Sequence, residues 1–168
     1  LGVSSYWSMN GAKGFKSYLE LAKIIPDAYH ILLVGKCEEQ CNIPKNMTIL
    51  PATNSKNELA EYYSLGDVFL NLSESETFGK VSAEAISCGT PLIALNCTAN
   101  PEIVPREAGM VIETSDSKEI LKTIECIFLK DKKEYTEKCL VHAHNNFDKE
   151  KNIQRYLEIY KELLEKKQ

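Results

Sequence analysis

Short apolar runs alternate with longer amphipathic ones along the whole chain. The runs at 30–35 (HILLVG), 47–50 (MTIL), 67–72 (DVFLNL), 91–95 (PLIAL) and 109–113 (GMVIE) are strand-like, as is the opening LGVSS. Most are apolar throughout rather than alternating, the pattern of parallel strands covered on both faces. Between them, Phe15, Tyr18, Leu19, Ala22 and Ile25 share one helical face, with Lys16, Glu20 and Lys23 turned to water. Leu59, Tyr62 and Tyr63 form a second such face after TNSKN, where Ser55 and Glu58 have the spacing of a capping box. Residues 80–88 predict a helix of small side chains, closed by Gly89 and Pro91. Segments 117–129 and 132–146 are helical by period. The last segment, 149–165, sets Ile153, Tyr156, Leu157, Tyr160, Leu163 and Leu164 on one stripe, read as ordinary core burial, with a helix returning across a domain interface as the alternative. Strand and helix in strict alternation predict one α/β domain around an open, doubly wound parallel sheet of Rossmann-like type. Ligands of such sheets sit beyond the C-terminal strand ends, at a switch in strand order.

Composition narrows the partners. A length of 168 residues suits one ordinary domain. No apolar run approaches the ~20 residues of a membrane span, and LGVSSYW has neither a basic n-region nor a long apolar h-region. The strand-like start at Leu1 raises the expectation that the chain is cut from a longer one. Net charge is −4, and residues 1–112 hold twelve acidic and eight basic side chains, an excess of 12 − 8 = 4 negative charges. With no basic stripe, nucleic acid is excluded as a partner, and an anionic ligand must be held by local donors. The six cysteines form no CxxC pair and read as reduced thiols. Neither Cys37 and Cys41 with His30, nor Cys139 with His142 and His144, has zinc-ligand spacing, so no metal is expected.

The chemistry concentrates in residues 74–91, ESETFGKVSAEAISCGTP. Two carboxylates, Glu76 and Glu84, flank Gly79-Lys80, where a helix begins after the DVFLNL strand. A helix start offers free amides and a positive dipole end, which attract phosphate. Gly79 lets a ligand approach the backbone of Gly79, Lys80 and Val81, and Lys80 adds charge. A glutamate there makes sense as an acceptor for sugar hydroxyls, as an acidic residue serves the ribose in dinucleotide folds. A nucleotide diphosphate with a sugar at each end satisfies both glutamates and the helix start together. Two other readings stay open: a glycosidase using the two carboxylates as an acid–base pair, and a non-catalytic flavodoxin-like binding or regulatory module.

ESETFGKVSAEAISCGTPLIA resembles the Glu-x7-Glu motif of retaining glycosyltransferases of the GT-B fold, family 4. VSSYW…KGF, ILLVG, ELAEYYSLGDVFLNLS and NPEIV…AGMVIE resemble its flanking segments, in order, over nearly the whole chain. The resemblance implies the C-terminal, donor-binding half of a two-domain enzyme that needs no metal or cofactor. It implies a UDP- or GDP-sugar as donor, a hexose-type sugar moved to a glycan, lipid or polysaccharide precursor, and an absent N-terminal acceptor domain. It further implies a cytoplasmic location, peripheral at the inner membrane face through that absent half. By the same resemblance, Glu76 holds hydroxyls of the transferred sugar and Glu84 the ribose. The backbone from Phe78 through Gly79 and Lys80 to Val81 meets sugar and diphosphate, Lys13 neutralises the diphosphate, and Thr53 sits by the base. Glu76 and Lys13 are the implied catalytic residues. One departure stands out: the family's arginine near the lysine is missing, with Ala12 directly before Lys13.

Overall fold

The protein is described by a computed structural model covering residues 1–37 and 42–166. Cys41 lies outside the described residues, and among them no group of three or more metal-ligating side chains assembles. The elements follow as β1 (Gly2–Trp7), α1 (Phe15–Ala22), β2 (Ile31–Cys37), β3 (Met47–Leu50), α2 (Lys56–Leu65), β4 (Phe69–Asn71) and α3 (Lys80–Ser87). Then come β5 (Leu92–Leu95), α4 (Asn100–Ile103), β6 (Gly109–Ile112), α5 (Ser117–Phe128), α6 (Lys132–Asn146) and α7 (Lys149–Glu165).

Every ladder is parallel, in two three-stranded halves ordered β1-β2-β3 and β4-β5-β6. The halves meet at Leu1, whose amine donates to Val68 O (2.9 Å) and whose carbonyl accepts from Leu70 N (2.8 Å). The strands therefore run β3-β2-β1-β4-β5-β6, and the order reverses between β1 and β4, where a doubly wound sheet opens its ligand crevice.

Apolar strands make the centre of this sheet. Leu33 on β2, Phe69 on β4 and Leu92 and Ile93 on β5 are fully buried, and Phe15, Leu21, Ile86 and Ile120 cover them from α1, α3 and α5. Each such side chain contributes roughly 1.5–3 kcal/mol by leaving water. Trp7 is a packing residue. It is 2% exposed, donates Nε1 to Val34 O (3.1 Å) and sets its ring edge-on to Tyr18 at 5.4 Å. The edge strand β6 leaves Met110 and Val111 exposed.

Two expectations need correction. The stripe on α7 is not core: Ile153, Tyr156, Leu157, Tyr160, Leu163 and Leu164 are all exposed, and α7 buries no residue. The cause is local. α6 ends at Phe147, Asp148 caps a new helix by accepting from Lys151 N (2.8 Å), and the covered faces of the sheet are already occupied by α1, α3 and α5. The capping box at α2 forms only by half. Ser55 Oγ accepts from Glu58 N (3.3 Å), but the Glu58 carboxylate turns to Thr53 and Tyr62 instead of the Ser55 amide.

Burial also sorts the thiols. Cys139 on α6 is inaccessible and burial pushes its pKa up to about 12, whereas Cys126 on α5 is exposed. Because thiolate is the reactive form, brief native alkylation at pH 8 labels Cys126 and spares Cys139, which reacts only after denaturation. Peptide mass mapping of the two states checks this.

Candidate functional site

Two loops reach the same edge of the sheet from neighbouring strands, one from β1 and one from β4. The first carries Lys13, the second Glu76 and Phe78. They are welded together on both sides of Lys13. Glu74 N donates to Ala12 O (2.8 Å), and Gly14 lies flat on the end of β4. Gly14 caps α1 at φ 75°, a left-handed conformation that suits glycine, and an added Cβ would collide with the Leu72 carbonyl. This weld sets Lys13 opposite Glu76, with Nζ to Oε1 at 2.7 Å. The lysine side chain is 44% exposed and the glutamate 12%, so the pair stands at the mouth of a cleft and is worth about 1 kcal/mol at most.

Behind Glu76 the β5–α4 loop takes both of its backbone groups. Glu76 N donates to Thr98 Oγ1 (2.8 Å), and Glu76 O accepts from Ala99 N (3.4 Å). The floor under this loop is a buried polar network. Asn71 Nδ2 donates to Ser82 Oγ (2.8 Å) and to Asn100 Oδ1 (3.2 Å), while Asn71 Oδ1 accepts from Ser73 N (3.1 Å). Buried polar groups left unpaired are costly, so such a network holds one arrangement.

The α3 start completes the edge. Gly79 caps the helix at φ 72°, and among the described residues no side-chain cap takes the first-turn amides. Lys13, Glu76, Lys80 and Val81 wall a cavity of about 270 Å³ with Trp7 and Asn71 behind them. Glu84 stands one turn further along α3, outside this wall. Its carboxylate accepts from Tyr63 OH (2.9 Å), with Lys80 Nζ at 3.8 Å. Burial, and then the Glu84 charge, raise the Tyr63 pKa, which keeps the phenol a donor. Phe78 is half exposed and meets Phe147 edge-on at 6.0 Å.

Thr53 does not join these residues. Its hydroxyl donates to Glu58 and accepts from Ser55 N (3.0 Å), so it serves the start of α2. The two hydrogen bonds from Thr53 and Tyr62 hold the Glu58 carboxyl below its usual range. A larger hollow of about 600 Å³ opens at the opposite end of the sheet, by Leu1, Ile31 and Val68. It lies where strands begin and touches none of the groups above.

A family model for the glycosyl transferases, group 1, matches residues 5–140. The chain belongs to that family.

Among its relatives, the N-acetyl-alpha-D-glucosaminyl L-malate synthase of Bacillus anthracis is 30% identical over 155 residues, covering 85% of this chain and 40% of that protein. Anabaena HepE in complex with UDP-glucose superposes with a TM-score of 0.76 at 19% identity, covering 96% of this chain and 48% of that one. The C-terminal domain of the group 1 glycosyl transferase LpcC from Francisella tularensis gives 0.70 at 20%, covering 88% and 85%. The fold is thus that of the C-terminal half of a GT-B glycosyltransferase, and the chain spans less than half the length of the curated relatives it matches.

Thr98, Tyr63, Asn71 and Asn100 are the residues packed around this candidate site that sequence reasoning misses. Thr98 and Asn100 lie 22 and 24 positions beyond Glu76, and Tyr63 is 21 before Glu84. Nothing in periodicity or composition links such distant pairs. The one usable signal is the run of small polar residues in NCTANP, which marks a loop at the ligand edge of the sheet.

Proposed function

We propose that this chain is the donor-binding half of a retaining glycosyltransferase of family 4 that uses a nucleotide diphosphate sugar. The observation that carries the reading is the meeting of Lys13, Glu76 and the uncapped α3 start at the switch point of the sheet. In this reading the diphosphate lies on the first-turn amides of α3, where backbone donors and the helix dipole favour an anion. Lys13 leaves Glu76 to neutralise the diphosphate as its bond to the sugar breaks, and Lys80 adds a second positive charge in place of the missing arginine. Glu76, released from Lys13, accepts hydrogen bonds from sugar hydroxyls. Glu84, with one oxygen occupied by Tyr63, offers the other to the ribose.

The acceptor belongs to a second, N-terminal half, and the exposed apolar stripe of α7 supplies a surface for it. Relatives about twice as long as this chain support that assignment. Transfer then takes place in the cleft between the halves, at the cytoplasmic side of the membrane.

Thermal-shift titration against UDP, GDP, ADP and their sugar conjugates tests the reading. One nucleotide class should raise Tm, by about 2.7 kcal/mol of added stability at 100 times its Kd. Lys13→Ala and Glu84→Ala should abolish most of that rise. A response to free oligosaccharides alone, with none to any nucleotide, would sink the proposal and return the carboxylate-pair glycosidase.

A further inference from the structure

Resting on the nucleotide-sugar reading, we propose that Thr98 is a positioning residue for the transferred sugar. It holds the Glu76 peptide so that the carboxylate can meet sugar hydroxyls once Lys13 turns to the diphosphate.

Thr98 is an unusual residue in its own backbone. It has φ 44°, the left-handed region, and among the described residues it is the one non-glycine with positive φ. A branched side chain there is strained, and strain of this kind persists where the surroundings demand it. What the conformation achieves is visible in its contacts. The hydroxyl of Thr98 takes the Glu76 amide (2.8 Å), and the next residue, Ala99, gives its own amide to the Glu76 carbonyl (3.4 Å). The Glu76 peptide is therefore clamped at both polar groups by two consecutive residues of one loop.

The clamp stands on a rigid base. Asn100, 1% exposed, accepts from Asn71 and donates to Cys97 Sγ (3.3 Å), and Cys97 Sγ contacts Ser73 O (2.9 Å). The loop that bears Thr98 is thus anchored to the end of β4, where the Glu76 loop begins. Among the described residues the Glu76 carboxylate is paired with Lys13 alone. When a diphosphate draws Lys13 away, the position of the carboxylate depends on the peptide clamp. Holding a group in place through its neighbour matters most in the complex that uses it.

The consequence is selective. Loss of the Thr98 hydroxyl should weaken binding of the sugar part of the donor and leave binding of the bare nucleotide untouched. The experiment measures, in the full chain by calorimetry, affinities for UDP and UDP-glucose and for GDP and GDP-mannose. Thr98→Val, Thr98→Gly and Thr98→Ser are compared with the wild type. Thr98→Val should reduce the affinity gained from the sugar roughly tenfold, the size of one lost hydrogen bond to a positioned group. UDP or GDP alone should bind within about twofold of wild type. Thr98→Ser should restore the sugar-dependent gain. Thr98→Gly should lose it as well, although glycine relieves the backbone and keeps or raises Tm, which separates positioning from folding. A sugar-dependent gain left intact by Thr98→Val and Thr98→Gly overturns the proposal alone. A wild type that binds no nucleotide, or gains nothing from the sugar, overturns the nucleotide-sugar reading and this proposal together.

Discussion

Gly14→Ala should lower Tm by roughly 4–24 °C, and Gly14→Val should yield little folded protein. Gly14 has φ 75°, and any Cβ there runs into the Leu72 carbonyl oxygen, with Leu72 Cβ at 2.7 Å. A non-glycine residue in this conformation costs about 1–3 kcal/mol. Forcing a methyl against main chain adds roughly 1–3 kcal/mol more. The obstacle is backbone at the end of a buried strand, so it cannot rotate away as a side-chain tip could. For a chain of this length each kcal/mol moves Tm by about 2–4 °C. A total stability of about 5–15 kcal/mol leaves little margin for the branched variant. Differential scanning calorimetry measures the shift. A Gly14→Ala protein with wild-type Tm would show that the β1–α1 loop can lift off β4, and the weld around Lys13 would not exist. The site feels the same change: lifting Gly14 moves Lys13 away from Glu76, so nucleotide affinity should fall even where Gly14→Ala remains folded.

The difference between what a chain shows as a string and what it shows folded is clear at this edge. The alternation of HILLVG, DVFLNL and PLIAL with amphipathic segments is a local signal, and it leads directly to parallel strands under helices. Gly79-Lys80 after a strand is also local, because helix starts and strand ends announce themselves in neighbouring residues. The Lys13–Glu76 pair spans 63 positions and could be expected only from the family pattern. Thr98 could not be reached even so, since its value lies in a backbone angle and in a partner that no nearby residue implies. The opposite failure occurs at α7. Its stripe is apolar like that of α5, yet α7 buries no residue, because periodicity reports that a face is apolar without naming what covers it. The hydrogen bonds of Thr53 are equally hidden in the sequence: its hydroxyl serves the α2 start, through Glu58 and the Ser55 amide.

Changing the two partners of the ion pair should move nucleotide binding in opposite directions. On the proposed function, Lys13→Ala removes the positive charge that the diphosphate needs and leaves Glu76 facing it. A hydrogen bond to a charged group contributes about 1.5–3 kcal/mol, so UDP or GDP affinity should drop by about 10- to 150-fold. Glu76→Ala instead frees Lys13 from its 2.7 Å partner. The exposed pair is worth about 0.2–1 kcal/mol, so the bare nucleotide should bind equally well or up to about fivefold tighter. If Glu76 holds the reacting sugar as proposed, sugar transfer by the full-length protein should nevertheless fall by about 100-fold or more in Glu76→Ala. The double variant should resemble Lys13→Ala in binding rather than the sum of both, since the benefit of removing Glu76 exists only while Lys13 is present. Salt supplies an independent check. Screening weakens an exposed ion pair, so the advantage of Glu76→Ala over wild type should shrink between low and physiological ionic strength. Equal losses of nucleotide affinity in both single variants would mean that Glu76 binds the nucleotide itself, and the division of labour between diphosphate and sugar would have to be redrawn.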